Sequence, residues 1–466
     1  MTALPLDVAI LGAGTAGLSA RAEVAKVTDS YLVFDPGPLG TSCARAACMP
    51  SKALLHSAHA FHRRDAFEAM GLRGATALEV DAPHVLAKTR ALRDHFVSGA
   101  IDGMEPWRET HLAPHAAAFD AEGRLCAGGH AYAPRATIIA TGSSHALPPG
   151  WRDRLGDRLL TSGDVFELAD LPGRLAVIGL GPVGLELGQA MARLGVEVVA
   201  FDGSPEIGGL TDPELQGELR ARLSDEMELV EAEPEPERQE NGSVRMTWDG
   251  GARDVDCVLA ATGRKPNLSG VNLDALGLAC TQSGVPELPE GQLNPPGRSV
   301  YFAGDSGHGP ALLHEASDEG RIAGYCAARG EDATFNRRVP LRLVFCEPQI
   351  AVAGGASLDE TGRTKLQRGV GGAIRIYADA ATARILGAAF LAPEAEHLAH
   401  LMAFAIDLEA DIPTLLRMPA YHPTHEEALR RALRAALGQC AAHHDRLEAI
   451  RCEDSPVDSG TAGPAM

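Results

Sequence analysis

The sequence has no run of 18 apolar residues and no basic segment followed by an apolar stretch at its amino terminus. The first absence excludes a spanning helix and the second a secretory signal, so we expect a reducing, cytoplasmic compartment. Basic residues are also few, with 42 Lys and Arg against 62 Asp and Glu, a formal charge of −20 at pH 7. This charge argues against nucleic acid and anionic membranes as partners.

Lysine is scarce, so the Lys52 that follows a cysteine segment is noticeable. Apolar residues make up 45% of the chain and charged residues 22%, which is the balance of a globular enzyme. The 466 residues predict roughly two to four domains.

An internal repeat organises the first half of the chain. Residues 8–17 and 175–184 are apolar runs that end in Gly-x-Gly-x-x-Gly, and each is followed by a helical pattern and a second apolar strand. Each second strand ends in an acid that lies 23 positions after the first glycine of its turn. The two βαβ units therefore carry the same set of residues: Gly12, Gly14, Gly17 and Asp35 in the first, and Gly179, Gly181, Gly184 and Asp202 in the second.

This arrangement predicts two dinucleotide sites. The first glycine allows the tight turn, the second lets the backbone approach a pyrophosphate, and the third lets helix and strand pack closely. The helix N-terminus attracts the phosphates, and the acid accepts hydrogen bonds from ribose hydroxyls. Residues 203–210 contain no Lys or Arg that would hold a 2′-phosphate, so Asp202 favours NAD over NADP.

A cysteine pair follows the first unit. Cys43 and Cys48 are separated by four residues, and helix signals follow, so Cys48 should lie near a helix N-terminus, where a thiolate is stabilised. In a reducing compartment such a pair is redox-active, inert, or part of a zinc site with His56 and His59. The residues alone leave all three open, although redox is favoured.

Several segments in order resemble one family. They are 40–55 around the cysteine pair, 261–267, Gly304-Asp305, 314–320, 344–351 and 422–427. To about residue 440 the chain resembles the flavoprotein disulfide reductases, specifically their dihydrolipoamide dehydrogenase branch. The resemblance implies an α/β fold with two Rossmann-like dinucleotide-binding domains, for FAD and NAD, and a C-terminal α+β dimerisation domain. The expected parts are an FAD-binding domain with the redox disulfide (1–148), an NAD-binding domain (149–268), the rest of the FAD/central domain (269–336), an interface domain (337–440) and a disordered tail (441–466).

The resemblance also implies residue roles. Cys43 would be the interchange thiol and Cys48 the sulfur beside the flavin, while Lys52 pairs with Glu186 near the flavin ring. His422, oriented by Glu427, would act as base from the other subunit of a homodimer. The substrate would be free dihydrolipoamide or a lipoyl-carrier protein, and no metal is expected. The remaining cofactor-binding candidates are Ser42, Thr141, Gly142, Gly263, Gly304 and Asp305.

The sequence departs from the family at a few positions. Leu39-Gly40-Thr41-Ser42 replaces the usual double glycine and Thr, Ala47 replaces a glycine, and Tyr421 stands where the branch has a small residue. Two alternatives stay open: another FAD-dependent NAD(P)H disulfide reductase acting on a low-molecular-weight disulfide, and a non-catalytic lipoyl-carrier-binding or redox-sensing flavoprotein. The acidic, Pro-containing stretch from Glu231 to Glu240 predicts a solvated loop.

Overall fold

The computed structural model describes residues 3–204, 206–281, 284–355, 362–363, 367–369 and 372–441, so nearly all of the predicted tail lies outside the described residues. Contacts divide the chain into two compact units. The first comprises Met1–Gly179, Arg193–Glu197 and Pro234–Asn336, and the second Leu180–Ala192, Val198–Glu233 and the part from Arg337 onward. The five sequence-based domain boundaries stay a prediction. No described helix is long and apolar enough to cross a membrane.

The strands, numbered along the described chain, are β1 (Leu4–Leu11), β2 (Tyr31–Phe34), β3 (Leu112–Ala113), β4 (Ala118–Phe119), β5 (Leu125–Ala127), β6 (His130–Ile139), β7 (Ser143–His145), β8 (Leu159–Leu160), β9 (Arg174–Ile178), β10 (Glu197–Phe201), β11 (Glu228–Val230), β12 (Glu235–Arg238), β13 (Val244–Trp248), β14 (Gly251–Val255), β15 (Cys257–Ala260), β16 (Arg264–Pro266), β17 (Val300–Phe302), β18 (Leu341–Val344), β19 (Gln349–Gly354), β20 (Gly362–Arg363), β21 (Gln367–Gly369), β22 (Gly372–Ala378) and β23 (Ile385–Ala392).

The α-helices are α1 (Thr15–Val24), α2 (Ser42–Ala46), α3 (Cys48–His62), α4 (Ala82–Asp102), α5 (Glu105–His111), α6 (Trp151–Leu155), α7 (Ser162–Val165), α8 (Pro182–Arg193), α9 (Pro213–Leu223), α10 (Leu313–Arg329), α11 (Ala395–Asp407), α12 (Ile412–Leu416) and α13 (His425–Leu437).

The first unit is built on a sheet with the strand order β3-β2-β1-β6-β5-β4, to which β17 adds on β6. Strands β1, β2, β6 and β17 run parallel. Both faces of β1 are covered, since Val8 and Ile10 pack into one buried cluster while Ala9 and Leu11 pack into another. A parallel strand buried on both faces needs the continuous apolar run that the sequence shows there.

Helix α1 packs closely against α10 through small residues. A Cβ atom added at Gly320 would lie 2.2 Å from the carbonyl oxygen of Ala16, and one at Gly324 would lie 2.4 Å from that of Ala20. These glycines are four residues apart and so share one face of α10. The close approach lets α10 cover the first glycine turn and its helix.

Further strands complete the first unit. Strand β15 pairs in parallel with both β8 and β9, and β12, β13 and β14 form an antiparallel sheet. The expected loop from Glu231 to Glu240 is wrong in part, because Glu235–Arg238 forms β12 at the edge of that sheet. Pro236 is buried and opposes Met246. An edge strand tolerates proline because one side of its backbone needs no partner.

The second unit contains the parallel pair β10–β11 with α9, and an antiparallel sheet of order β18-β19-β23-β22-β20, with β21 on β22. Helices α11 and α13 bury apolar residues against this sheet, among them Leu398, Met402, Leu429 and Leu433. Parallel α/β units and a C-terminal antiparallel sheet with helices on it confirm the predicted fold class.

The helix contact yields a stability prediction. Gly320→Ala should destabilise the protein by about 1–3 kcal/mol, because the methyl group meets backbone that cannot move aside. Thermal unfolding measures the loss. Gly99→Ala is the matched control, since Gly99 lies in α4 and an added Cβ atom there meets nothing within 4 Å. That variant should gain about 0.5–1 kcal/mol, and an equal fall in both melting temperatures would contradict the packing argument.

Candidate active site

The first glycine turn joins β1 to α1. Gly12 has φ +107°, and a Cβ atom there would lie 2.3 Å from the carbonyl oxygen of Ala140, so only glycine fits. A Cβ atom on Gly17 would lie 1.9 Å from the carbonyl oxygen of Gly12, whereas Gly14 faces open space. Gly14 is also the N-cap of α1 and supplies no side-chain cap. The first-turn N–H groups are therefore available to an anion.

The second turn repeats this geometry between β9 and α8. Gly179 has φ +92°, and a Cβ atom there would lie 2.7 Å from the carbonyl oxygen of Ala261. Gly181 faces open space, and Gly184 is buried in the first turn of α8. The middle glycine thus leaves the same opening for a phosphate in both turns.

The two acids at the strand ends bond to their turns in the same way. Asp35 accepts from the N–H of Ala13 at 2.6 Å and from that of Gly37 at 2.7 Å. Asp202 accepts from the N–H of Leu180 at 3.0 Å and from that of Ser204 at 2.9 Å. A carboxylate has about four acceptor positions, so each keeps capacity for ribose hydroxyls. The ribose roles of Asp35 and Asp202 stay predictions.

The predicted flavin motif sits in a polar network of the first unit. The side chain of Ser143 donates to Asp305 and accepts from Arg264 Nε at 2.7 Å. The hydroxyl of Thr141 is buried and has no hydrogen-bond partner in the described part of the chain. A buried polar atom without a partner calls for one from a ligand. Together with the open first turn, these groups fit a dinucleotide such as FAD.

Sequence reasoning missed Ser143 and Arg264 in this network. Both lie in short strands, β7 and β16, which pair antiparallel. Ser143 is 162 positions from Asp305 in sequence, so no local pattern relates them. The signal that could have found Arg264 is its position directly after Thr262-Gly263, a strand-end pair that repeats Thr141-Gly142.

The remaining candidates in this unit lie at turns and helix starts. Ser42 is exposed at the first residue of α2, Gly142 and Gly263 follow β6 and β15 with positive φ, and buried Gly304 follows β17. Their cofactor roles stay predictions. Within the described ranges, no group of three or more His, Cys, Asp or Glu side chains is placed to hold a metal ion.

The two cysteines lie on consecutive helices, where local capping positions them. Thr41 caps α2 by accepting from the N–H of Ala44 at 3.2 Å. Cys43 lies in α2, and Cys48 is the first residue of α3, as predicted. The N-cap of α3, Ala47, offers no side-chain acceptor, so the helix N-terminus faces the Cys48 region uncapped. A negative charge on Cys48 is favoured there.

The side chains of Cys43 and Cys48 lie within hydrogen-bonding reach of each other. The hydrogen bond with Cys48 is the main cause that raises the pKa of Cys43 above its ordinary value, with burial and the charge of Cys48 adding to it. The proton is thereby held more firmly on Cys43 than on an ordinary cysteine. The roles of Cys43 as interchange thiol and of Cys48 as the sulfur beside the flavin stay predictions.

The second unit brings His422 and Glu427 together. The Nδ1 atom of His422 lies 2.9 Å from Oε2 of Glu427, and the imidazole is 82% exposed. Glu427 lies in the first turn of α13, which begins at His425, while His422 lies just before the helix. A carboxylate on one ring nitrogen fixes the orientation of the ring and leaves the other nitrogen for proton transfer.

Lys52 and Glu186 are placed in different units. Lys52 lies on α3 of the first unit, and Glu186 lies on α8 of the second. Glu186 is 5% exposed, and its Oε1 accepts from the N–H of Phe345 at 3.1 Å. The ion pair between Lys52 and Glu186 stays a prediction.

Comparison with known proteins identifies the family. Residues 6–320 match the model described as pyridine nucleotide-disulphide oxidoreductase, and residues 349–433 match the dimerisation domain of the same family. The chain belongs to this family. Membership confirms the recognised resemblance and the predicted cofactors FAD and NAD, because these enzymes combine FAD with a pyridine nucleotide. The dimerisation domain supports assembly as a homodimer.

Several similar proteins are named dihydrolipoyl dehydrogenase. The dihydrolipoyl dehydrogenase of Thermus scotoductus is 29% identical over 457 residues, covering 92% of this chain and 97% of its own. That of Bacillus subtilis is 26% identical over 462 residues, covering 93% and 99%. Among solved structures, the HOCl-induced flavoprotein disulfide reductase RclA of Escherichia coli superposes with a TM-score of 0.79 at 19% identity, covering 93% and 99%. LpdA of Mycobacterium tuberculosis gives 0.78 at 21%, covering 92% and 99%.

The cysteine geometry predicts a spectral signature. Two-electron reduction of the FAD-loaded protein should produce a long-wavelength charge-transfer band from the Cys48 thiolate, because the uncapped N-terminus of α3 favours negative charge on Cys48. Cys48→Ser should abolish the band, while Cys43→Ser should show it without reductant. Anaerobic absorbance titration is the measurement. Unchanged spectra in both variants would contradict the assignment of the two sulfurs, and Cys126→Ser serves as a control distant in sequence.

Proposed function

We propose that this protein is a dihydrolipoyl dehydrogenase, which oxidises free or protein-bound dihydrolipoamide and reduces NAD⁺ to NADH. The observation that carries the proposal is the Cys43–Cys48 pair, whose side chains are hydrogen-bonded to each other, with an uncapped helix N-terminus at Cys48. A dithiol substrate needs such a pair, since exchange proceeds by attack of a thiolate on a disulfide sulfur. The names of the relatives favour the same substrate.

The exchange balances atoms and electrons within the sulfur groups. In the oxidised enzyme, one substrate thiolate attacks the Cys43 sulfur, which breaks the Cys43–Cys48 bond and leaves Cys48 as thiolate. The second substrate thiolate then attacks the substrate sulfur of the mixed disulfide, which forms the S–S bond of cyclic lipoamide, breaks the bond to Cys43 and releases the Cys43 thiolate. The substrate loses two electrons and two protons. The cysteine pair gains the electrons, one proton passes through His422 to solvent, and the other is retained at Cys43 until it leaves with the two electrons. FAD, when bound, would supply the chemistry that transfers these two electrons and one proton to NAD⁺ as hydride.

The base for this exchange is His422. Deprotonation of the substrate thiols requires a group with a pKa near neutral, and a histidine oriented by a carboxylate suits this task. In the resembling family the base reaches the cysteine pair from the second subunit. We therefore place His422 of the partner subunit beside Cys43, in a cytoplasmic homodimer with two composite sites.

Two residue sets support catalysis over a non-catalytic carrier-binding or sensing role. Cys43, Cys48 and Lys52 are intact in the first unit, and His422 is hydrogen-bonded to Glu427 in the second. A flavoprotein that only senses or binds has no need of an oriented base. A low-molecular-weight disulfide remains the alternative substrate, and the assay below separates the two.

The substrate assay compares two directions of electron flow. NAD⁺ reduction by free dihydrolipoamide should be fast, whereas NADP⁺ should support little reduction and glutathione disulfide should not be reduced by NADH. If the protein reduced glutathione disulfide rapidly and did not oxidise dihydrolipoamide, the substrate would be a low-molecular-weight disulfide instead of the proposed dithiol. Catalysis of neither reaction by FAD-loaded protein would contradict the enzyme assignment.

The composite site predicts complementation between subunits. His422→Gln should slow the dithiol half-reaction by on the order of 10²–10⁴, the value of a positioned base, while flavin reduction by NADH stays fast. Heterodimers of a His422→Gln subunit with a Cys43→Ser subunit have one intact composite site and should regain about half of the wild-type activity per dimer. Heterodimers that form but regain nothing would show that the sites are not shared. The control is His425→Gln, which alters a neighbouring exposed histidine and should leave the rate of the dithiol half-reaction nearly unchanged.

A further inference from the structure

An arginine in the dimerisation-domain sheet is buried among acids of the nucleotide-binding segment. Arg375 lies in β22 and is 2% exposed. Its guanidinium bonds to both oxygens of Asp212, with Nε to Oδ2 at 2.7 Å and Nη2 to Oδ1 at 3.3 Å, and Nη2 also bonds to Glu214 at 2.6 Å. The hydroxyl of Tyr377 adds a bond to Asp212 at 3.3 Å. All four residues belong to the second unit.

Asp212 is also the N-cap of α9. Its Oδ1 accepts from the N–H groups of Glu214 at 2.9 Å and Leu215 at 3.3 Å. Burial acts to raise the pKa of Asp212, but the hydrogen bond and charge of Arg375 outweigh it and hold this pKa below its ordinary value. The pair is therefore charged, and the start of α9 is fixed to the sheet of the dimerisation domain.

The start of α9 continues into the segment that follows Asp202. Gln216 of α9 donates to the carbonyl of Leu210 at 2.6 Å, and the N–H of Gly208 donates to the carbonyl of Leu180 at 2.8 Å. The N–H of Leu180 in turn donates to Asp202 at 3.0 Å. A continuous set of hydrogen bonds and short chain segments thus leads from the Arg375 pair to the acid predicted to bind the ribose.

The same segment lies against the dimerisation-domain sheet at a second point. Gly208 has φ +64°, and a Cβ atom there would lie 2.4 Å from the Cδ1 atom of Ile350 in β19. Helix α8 is held similarly, since Gln189 donates to the carbonyl of Glu347 at 2.8 Å and accepts from its N–H at 2.7 Å. Helix α8 and the segment around Gly208 are therefore both fastened to this sheet.

The charged cluster of Arg375, Asp212 and Glu214 is not explained by a contribution to the stability of the fold. A buried ion pair is no more stabilising than apolar residues of the same volume, because desolvation offsets the attraction. A forked guanidinium does set geometry, since it holds a carboxylate at two points. Recognition of a ribose diol requires the acceptor to be held within about 0.5 Å of its productive position.

We propose that Arg375 is a positioning residue for the pyridine nucleotide. Because Arg375 holds Asp212, it fixes residues 206–211. Asp202 then keeps the orientation in which it accepts the ribose 2′-hydroxyl and excludes a 2′-phosphate. Affinity for NAD(H), and discrimination against NADP(H), then depend on a buried arginine of the dimerisation domain. The inference rests on the proposed function in one respect, the assignment of Asp202 as ribose acceptor.

The test measures nucleotide binding without turnover, by calorimetric titration of the FAD-loaded dimer with NADH and with NADPH. The main variant is Asp212→Asn/Arg375→Met, because Asn keeps the helix cap and no unpaired charge is left buried, whereas Arg375→Met alone would strand Asp212. Arg375→Lys keeps the charge without the fork. The matched control is Arg384→Met, which removes an arginine that is half exposed and pairs with Glu409 in the same unit.

We expect the double variant to bind NADH about tenfold more weakly while NADPH binding changes little, so that discrimination falls. Arg375→Lys should recover part of the affinity, and Arg384→Met should match the parent protein. In an Asp202→Ala background the two substitutions should weaken NADH binding by less than about twofold, because they act through that carboxylate. In turnover the KM for NAD⁺ should rise while the dithiol half-reaction keeps its rate.

The proposal would be overturned if the double variant discriminated between NADH and NADPH as well as the parent protein does. It would also be overturned if the two substitutions weakened NADH binding equally with Asp202 present and in the Asp202→Ala background. If Asp202→Ala alone changes neither affinity nor discrimination, the ribose assignment fails and this inference with it. Oxidation of dihydrolipoamide by the parent protein is measured separately, so failure of the proposed function is recognised independently.

Discussion

Two aspartate carboxylates determine the geometry of the glycine turns, on which the rest of this structure depends. Asp35 and Asp202 each accept from the N–H that follows the first glycine of a turn, and from the N–H two residues beyond the acid. Each bond set holds the end of the second strand to the glycine turn at the end of the first. A turn held in this way presents its middle glycine and the start of its helix to a phosphate.

Two helices whose N-termini have no side-chain cap lie at the proposed sites, α1 at the cofactor site and α3 at the cysteine pair. The N-cap residues are Gly14 for α1 and Ala47 for α3, and neither residue supplies a side-chain acceptor for the free N–H groups. Among the other described helices, α4 is capped by Asp81 and α9 by Asp212, whereas α10 and α11 also lack a side-chain cap. The free N–H groups at α1 fit an anionic cofactor, and those at α3 favour negative charge on Cys48.

The sequence predicted features that depend on local spacing. These features are the glycine turns, the strands that end in acids and the position of Cys48 at a helix start. Each follows from a pattern that spans at most about 25 residues. His422 and Glu427 are five positions apart, and their hydrogen bond needs only a turn before a helix. Local spacing could not predict contacts between distant segments.

Three findings show where that limit lies. Ser143 bonds to Asp305 and to Arg264 across more than a hundred positions in each case, and Arg375 bonds to Asp212 from a different part of the chain. These partners are chosen by how strands and helices pack, and a charged residue in a strand is ordinarily expected to face solvent. Strand β12 was missed because its one buried residue is Pro236, and proline is typical of loops.

The central claim is that electrons from a dithiol enter the protein through Cys43 and Cys48. Isotope-coded alkylation followed by peptide mass spectrometry tests it directly, on oxidised protein treated anaerobically with one equivalent of dihydrolipoamide in the absence of NAD⁺. The account predicts that label appears on this pair, foremost on Cys43, while the labelling of Cys126, Cys257, Cys280, Cys326, Cys346 and Cys440 stays constant. Oxidation of the dithiol with no change in the labelling of Cys43 and Cys48 would contradict it.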